Sequence, residues 1–316
     1  MFLVKFMASL LRQTRFFCTL KKSLLVDTVG DVNEAQGRVW KKIAVFYTLT
    51  MLFSGVFDAF VLHAGRMDAG NFLYVTGAMW SPALAAFATK RIFRERIGDL
   101  PWSWSGARYA WLAYLIPIGY ALPVYLVVWL TGLGGFYDID LAKKIAEQFA
   151  WVNLPPSLML ALFVLLTATL GMIGKMSRAL GEEIGWRGFL VPELSKVVGF
   201  SGTAVISGLM WAVYHYPILL FADYNAGTPA WYGLICFTIM VVASSFILTW
   251  LTLRSGSLWP AAIFHGSHNL FIQSILSPLT KNTGITKYVI DEFGIGLVIT
   301  TLIGAIIVWR RRLELR

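Results

Sequence analysis

Long apolar runs, broken by short polar stretches, make up most of this chain. Eight of them stand out: Ile43–Leu62, Asn71–Thr89, Tyr109–Thr131, Ser157–Gly174, Ser201–Ala222, Trp231–Leu253, Ser257–Leu276 and Phe293–Trp309. Each is long enough to cross roughly 30 Å of hydrocarbon at about 1.5 Å of rise per residue. Runs of this length are too long for strands, and the alternation of a barrel strand is absent. The pattern predicts an all-α, polytopic membrane helix bundle of about eight transmembrane helices. Pro117 and Pro123 fall inside the third run, where kinks are expected and neighbouring helices satisfy the freed carbonyls. Within the long connection 132–156, the stretch Leu141–Trp151 predicts an amphipathic helix lying flat on the membrane.

Composition agrees with the pattern. Apolar residues make up 57% of the 316 and charged residues 14%, against roughly 45–50% and 25% in an ordinary globular chain. That excludes disorder, a conventional soluble enzyme and a nucleic-acid-binding tail protein. Cys18 and Cys236 have no metal-ligand spacing and make no disulfide framework.

The net charge of +10 is accounted for by location. With both termini in the cytosol, the cytosolic segments hold 22 of the 27 Lys and Arg, and the other side holds Arg66, Lys143, Lys144, Lys281 and Lys287. This asymmetry is the positive-inside signature. It leaves no basic soluble module for a nucleic acid, and it predicts a multi-pass protein of the cell membrane. Residues 1–42 read as a basic N-terminal cytosolic segment and 43–316 as the transmembrane domain. Met1–Leu11 is interrupted by Lys5 and lacks a clean cleavage site, so a signal peptide is not expected. Phe16, Phe17, Leu20, Leu24 and Leu25 interleave with Arg12, Arg15, Lys21 and Lys22. That fits an amphipathic helix on the anionic leaflet, with a basic disordered leader as the alternative.

Ionisable groups in or beside a span cost about 2.5–3.5 kcal/mol at the centre on insertion scales, so each needs a reason. Glu182 and Glu183 follow the fourth run in Gly181-Glu-Glu-Ile-Gly-Trp-Arg-Gly188. Glu183 and Arg187 are i,i+4 and can pair, whereas Glu182 is turned about 100° away and left to face elsewhere. An exposed helix start with acids near its positive end is the plainer reading. His215 lies deep in the fifth run, where a lone histidine is often interhelical packing. His265 and Asn269, also i,i+4, stack on one face in the seventh run, with His268 ranked below them. Asp58 and His63 read as interfacial residues, and Glu193 and Asp223 as residues of loops or span ends. Gly181-x3-Gly185 and Ala204-x3-Gly208 offer close-packing faces, within the bundle or between copies.

Taken together, three helices each bring a polar cluster. They supply a base, a second water-holding group and donors for an oxyanion, the inventory for amide hydrolysis. Neither a Gly-x-Ser-x-Gly nor a His-Glu-x-x-His motif competes.

At these residues the chain resembles the CPBP family of intramembrane proteases, which comprises CAAX prenyl proteases and bacteriocin-processing enzymes and is also called Abi. The family's Glu-Glu-x3-Arg, Phe-x3-His and His-x3-Asn/Asp motifs read here as Glu182-Glu183-x3-Arg187, Trp211-x3-His215 and His265-x3-Asn269. They place a protease core at about 157–276, with Trp211 standing where the family has Phe. The resemblance implies that Glu182 and His215 hold and activate water, that His265 and Asn269 stabilise the oxyanion, and that Glu183 and Arg187 order the site.

The family is described both as metal-dependent and as glutamate-dependent without metal. Glu182, His215 and His265 could ligate a divalent ion such as zinc or act through hydrogen bonds alone. The expected partner is a peptide or protein substrate at the membrane, cleaved in a cavity open to the cytosol. The alternatives are a non-catalytic membrane scaffold and a proton-coupled transporter using the same buried groups.

Overall fold

The computed structural model describes the backbone of residues 2–64, 72–222 and 224–315, and side chains from Asn33 onward within those ranges, Ile139 excepted. The amphipathic reading of Phe16–Leu25, Cys18 and Asp223 lie outside the described side chains.

The chain is a helix bundle. Helix α1 (Phe2–Ala64) leads to α2 (Phe72–Ile92), α3 (Ala107–Thr131) and the short α4 (Ile139–Gln148). A single helical column then runs from Pro156 to Ser195. It consists of α5 (Pro156–Leu166), a π segment (Thr167–Gly171), α6 (Met172–Glu183), a second π segment (Ile184–Leu190) and α7 (Val191–Ser195). Next come α8 (Phe200–Phe221) and α9 (Ala230–Ser255). They are followed by α10 (Trp259–His268), which continues through a π segment (Asn269–Leu276) into α11 (Ser277–Leu279), and by α12 (Ile295–Arg310).

Six helices are long and apolar enough to cross a membrane: Asn33–Ala64, Phe72–Ile92, Ala107–Thr131, Pro156–Ser195, Phe200–Phe221 and Ala230–Ser255. The other two predicted spans are the α10–α11 column and the 16-residue α12. The protein is an all-α, multi-pass membrane bundle. Helix α3 continues through both prolines.

The order of packing follows from small residues and from the face each helix buries. Helix α1 packs on α2, α2 on α6, α8 on α9, and α9 on α12, while α10 sits against α3, α6 and α9. A methyl at Gly181 would lie 2.7 Å from Trp80, and one at Gly185 would lie 2.5 Å from Pro82. A methyl at Gly208 would meet the Val242 backbone at 2.8 Å. Both small-residue faces therefore close contacts inside the bundle. Outward-facing Leu52, Leu115, Leu130, Leu165, Ile173 and Ile303 remain exposed, as lipid-facing positions should.

The two ends of the bundle differ. At one end Lys42 pairs with Glu95 and, at 3.5 Å, with Glu193. Lys90 pairs with Glu95 at 2.9 Å, and Lys196 with Glu193 at 2.6 Å. This cluster ties α1, α2 and α7 together. Burial works against the Glu95 carboxylate, but its hydrogen bonds to Lys42 and Lys90 and their charges hold its pKa below the usual range.

At the other end, β1 (Gly134–Phe136) pairs antiparallel with β2 (Thr280–Asn282) and joins two connections. Helix α4 is capped by Asp138, whose carboxylate accepts from Asp140 N at 2.8 Å and Leu141 N at 3.2 Å. Its buried Ala142 and Ile145 pack with Met159 of α5, so part of the apolar face expected to lie on the membrane is taken by protein.

Candidate active site

The fourth predicted span is too short by about half. Hydropathy falls at Lys175, because Lys175, Arg178, Glu182, Glu183 and Arg187 follow in quick succession. The helix nevertheless continues to Ser195, with Glu182, Glu183 and Arg187 buried and Lys175 and Arg178 bordering the cavity. Glu182, Glu183 and Arg187 are therefore not at an exposed helix start but are 1%, 0% and 0% exposed. The π turn that begins at Ile184 widens the helix where Arg187 projects, a local feature often found at functional sites.

Arg187 Nη1 donates to Glu183 Oε1 at 2.9 Å, as the i,i+4 spacing predicts, and Nη2 donates to Ser245 Oγ of α9 at 3.2 Å. The same Glu183 Oε1 lies 2.9 Å from His265 Nδ1. A carboxylate that already accepts from a guanidinium accepts from this nitrogen as well, so Nδ1 carries the proton. Glu182, turned away from Arg187, takes a different partner: Trp211 Nε1 donates to its Oε2 at 2.6 Å. The Arg187 guanidinium stacks 4.2 Å from the Trp211 ring centroid. Trp211 thus binds Glu182 through its edge and Arg187 through its face. Phenylalanine, which has no N–H, could supply only the face.

His215 Nδ1 donates to the carbonyl of Trp211, 2.9 Å away on the same helix, which makes Nε2 the acceptor in the neutral ring. Among the described residues Asn269 makes no side-chain hydrogen bond. It is 9% exposed and begins the π segment that follows α10.

Glu182, His215, His265 and Asn269 line one cavity of about 360 Å³, so the polar clusters of three separate helices meet in one place. The cavity also holds residues that sequence reasoning ranked low or passed over. His268 Nε2 donates to Glu292 Oε1 at 2.8 Å, and its Nδ1 bonds the Tyr120 hydroxyl. Tyr224 and Gln273 donate to Glu292 at 2.7 and 3.0 Å. Burial opposes the Glu292 charge, yet His268, Tyr224 and Gln273 hold its pKa down to about 2. Glu292 stands just before the last apolar run, where sequence gives no sign that the connection folds inward. Asp58, near the end of α1, is buried in the protein. It is 6% exposed and lines a small pocket of about 40 Å³ with Glu182, Tyr214 and His215, large enough for a water.

One expectation needs correction. Among the described residues, none that lines the cavity comes from the connection 93–106. The lining includes Tyr224 and Glu292, from the connections after α8 and before α12, at the opposite end. Among the described residues no three His, Cys, Asp or Glu side chains group to hold a metal ion. One nitrogen of each histidine and one oxygen of Glu182 are committed to protein hydrogen bonds, and we derive no step through a metal.

Residues 153–271 match the family model described as type II CAAX prenyl endopeptidase Rce1-like. Over 113 residues the chain is 30% identical to CAAX prenyl protease 2 of Methanococcus maripaludis, a match covering 34% of this chain and 40% of that protein. The chain therefore spans well under half the length of that relative. All three motifs lie within the matched segment, so the similarity to the type II CAAX prenyl endopeptidases falls on the residues that line the cavity.

Proposed function

We propose that this protein is an intramembrane endopeptidase that hydrolyses a peptide bond of a membrane-associated protein or peptide. The observation that carries this reading is the meeting of Glu182, His215, His265 and Asn269 around one cavity. Water held between Glu182 Oε1 and His215 Nε2 loses a proton to the carboxylate as its oxygen attacks the carbonyl carbon. The resulting oxyanion is met by the Asn269 amide and by Nε2–H of His265. That nitrogen donates only when the ring carries both protons, the form whose Nδ1–H the Glu183 carboxylate accepts. The protonated Glu182 then gives its proton to the leaving amine as the C–N bond breaks. Glu183 and Arg187 orient His265 and Trp211, and Trp211 fixes Oε2 so that Oε1 is left for the water. The name of the Methanococcus relative specifies a prenylated CAAX substrate for that protein; for this chain the proposal is the wider class.

The test compares new N-termini in membranes from cells making wild type, His215→Ala or Asn269→Ala. Products specific to the wild type should be lost in His215→Ala, and their rate of formation should fall about 10²–10³-fold in Asn269→Ala, the usual cost of an oxyanion donor. Undiminished products in both variants would overturn the reading. A chelator should leave cleavage by the purified protein unchanged; loss that zinc restores would assign Glu182 and the histidines to a metal instead. Uptake or proton coupling by the protein in vesicles, without cleavage, would favour a transporter.

Trp211→Phe gives a finer test. It keeps the ring stacked on Arg187 and removes only the N–H. The turnover number should fall about tenfold or more, the equivalent of a hydrogen bond to a charged group, with KM little changed. An unaltered turnover number would show that Trp211 only packs.

A further inference from the structure

Among the described residues, the lining of the cavity reaches one end of the bundle. Val75 lies near the start of α2 and Ile218 near the end of α8, and Tyr224 and Glu292 belong to the connections at that same end. A second hollow of about 310 Å³ shares Tyr224, Gln273 and Glu292 with the cavity and extends it among those connections. None of the lining residues comes from the connections 93–106, 196–199 or 256–258 at the opposite end. There Trp186, Phe189, Leu190 and Leu258, each at most 1% exposed, fill the space beneath Glu182 and Glu183. Among the described residues, then, both water and a polypeptide reach Glu182 from the Tyr224–Glu292 end.

The charge distribution says which side of the membrane that is. The helical column to Ser195 moves Lys175, Arg178 and Arg187 out of any connection. Arg187 is buried, whereas the half-buried Arg178 lies over Phe72 at the open end of α2 and shares the cavity wall with the half-buried Lys175. Of the other basic residues, nineteen lie at the sealed end or in the N-terminal segment that leads to it. Lys143, Lys144, Lys281 and Lys287 lie at the open end, and Arg66 belongs by sequence to the stretch between α1 and α2. Even with Lys175 and Arg178 counted at the open end, nineteen basic residues stand against seven, and the basic side of a membrane protein is its cytosolic side.

We propose that the cavity opens to the extracytosolic side, and that the substrate is a membrane-anchored polypeptide whose scissile bond lies just beyond its anchor on that side. This inference rests on the peptidase reading for its substrate and on geometry and charge alone for its direction. The depth fits a juxtamembrane site. His215 is six residues from Phe221 at the open end of α8, about 9 Å at the rise of a helix. An extended chain covers that depth in about three residues. A segment emerging from the outer leaflet can therefore place a peptide bond at Glu182 without unfolding a domain. A cytosolic polypeptide meets the sealed end.

Orientation and access can be read without any cleavage. In a Cys18→Ser, Cys236→Ser background, single cysteines are introduced as Asn282→Cys in the open-end connection, Ile218→Cys in the cavity wall and Ser103→Cys in the sealed-end connection. Asn282 and Ser103 are surface-exposed, so neither substitution disturbs packing. In intact cells a membrane-impermeant maleimide should label Asn282→Cys and Ile218→Cys and miss Ser103→Cys until the cells are permeabilised. The reverse pattern, Ser103→Cys labelled before permeabilisation, overturns the proposal. So does an Ile218→Cys that is blocked in intact cells and reacts only on permeabilisation. If the expected labelling appears but no wild-type-specific cleavage product exists anywhere, the direction of access stands and the peptidase reading fails. If products exist but map to cytosolic segments, the peptidase reading stands and this proposal fails.

Discussion

Glu182→Gln is expected to reduce peptide cleavage by about 10³-fold, within the 10²–10⁴ that a positioned general base contributes, while leaving the fold in place. Glutamine is isosteric, and its amide oxygen can still accept from the Trp211 indole, which lies 2.6 Å from Oε2. What it cannot do is take a proton from water or return one to the leaving amine, so two transfers are lost with one atom change. Because Glu182 is 1% exposed, removing its charge also lowers the cost of burial. The melting temperature in detergent should stay level or rise. Initial rates of cleavage, measured beside that melting curve, separate chemistry from folding. A Glu182→Gln variant that kept a tenth of the wild-type rate would remove Glu182 from the role of base. Attention would then pass to Asp58, the other carboxylate on the small pocket that Glu182 shares with His215. From sequence Asp58 reads as an interfacial residue, since it lies toward the end of an apolar run.

What the sequence made legible depended on contacts within one helix. The eight apolar runs mark the helices because each is set by its own composition, and the Glu183–Arg187 pair follows from a four-residue spacing that one helix enforces. The convergence of the three motifs was legible only through resemblance, since no spacing within a helix says which helices meet. The parts that stayed hidden depend on several helices at once. Hydropathy measures composition and not burial, so the charges from Lys175 to Arg187 cut the fourth span short. Trp211 and Glu182 are 29 residues apart, and their hydrogen bond exists only because α6 and α8 pack side by side. Glu292 reaches His268 by a connection folding into the bundle. The direction of the cavity depends on which ends of the helices are closed by Trp186, Leu190 and Leu258, a property of no single segment.

The largest effect on stability is expected from Arg187→Ala. Arg187 and Glu183 are both fully buried, and the guanidinium donates to Glu183 and Ser245 while stacking on Trp211. Removing one partner of a buried pair strands the other, at a cost of about 3–5 kcal/mol. Here the Glu183 carboxylate would keep only His265 among its present partners, and Trp211 would lose the cation on its face. Arg187→Lys should recover little, because a single ammonium cannot replace the planar fork or the stack. The double variant Glu183→Gln, Arg187→Met should be more stable than Arg187→Ala, since no unpaired charge is left buried. Heating each protein in detergent with a thiol-reactive dye, in a Cys18→Ser background, reports unfolding through the buried Cys236. The expected order of midpoints is wild type, then the double variant, then Arg187→Ala. The double variant should still be inactive, because His265 would lose the carboxylate that accepts its Nδ1–H. If Arg187→Ala melted with the wild type, the ion pair would have no structural role. If the double variant melted no higher than Arg187→Ala, the loss would come from the vacated space and not from a stranded charge.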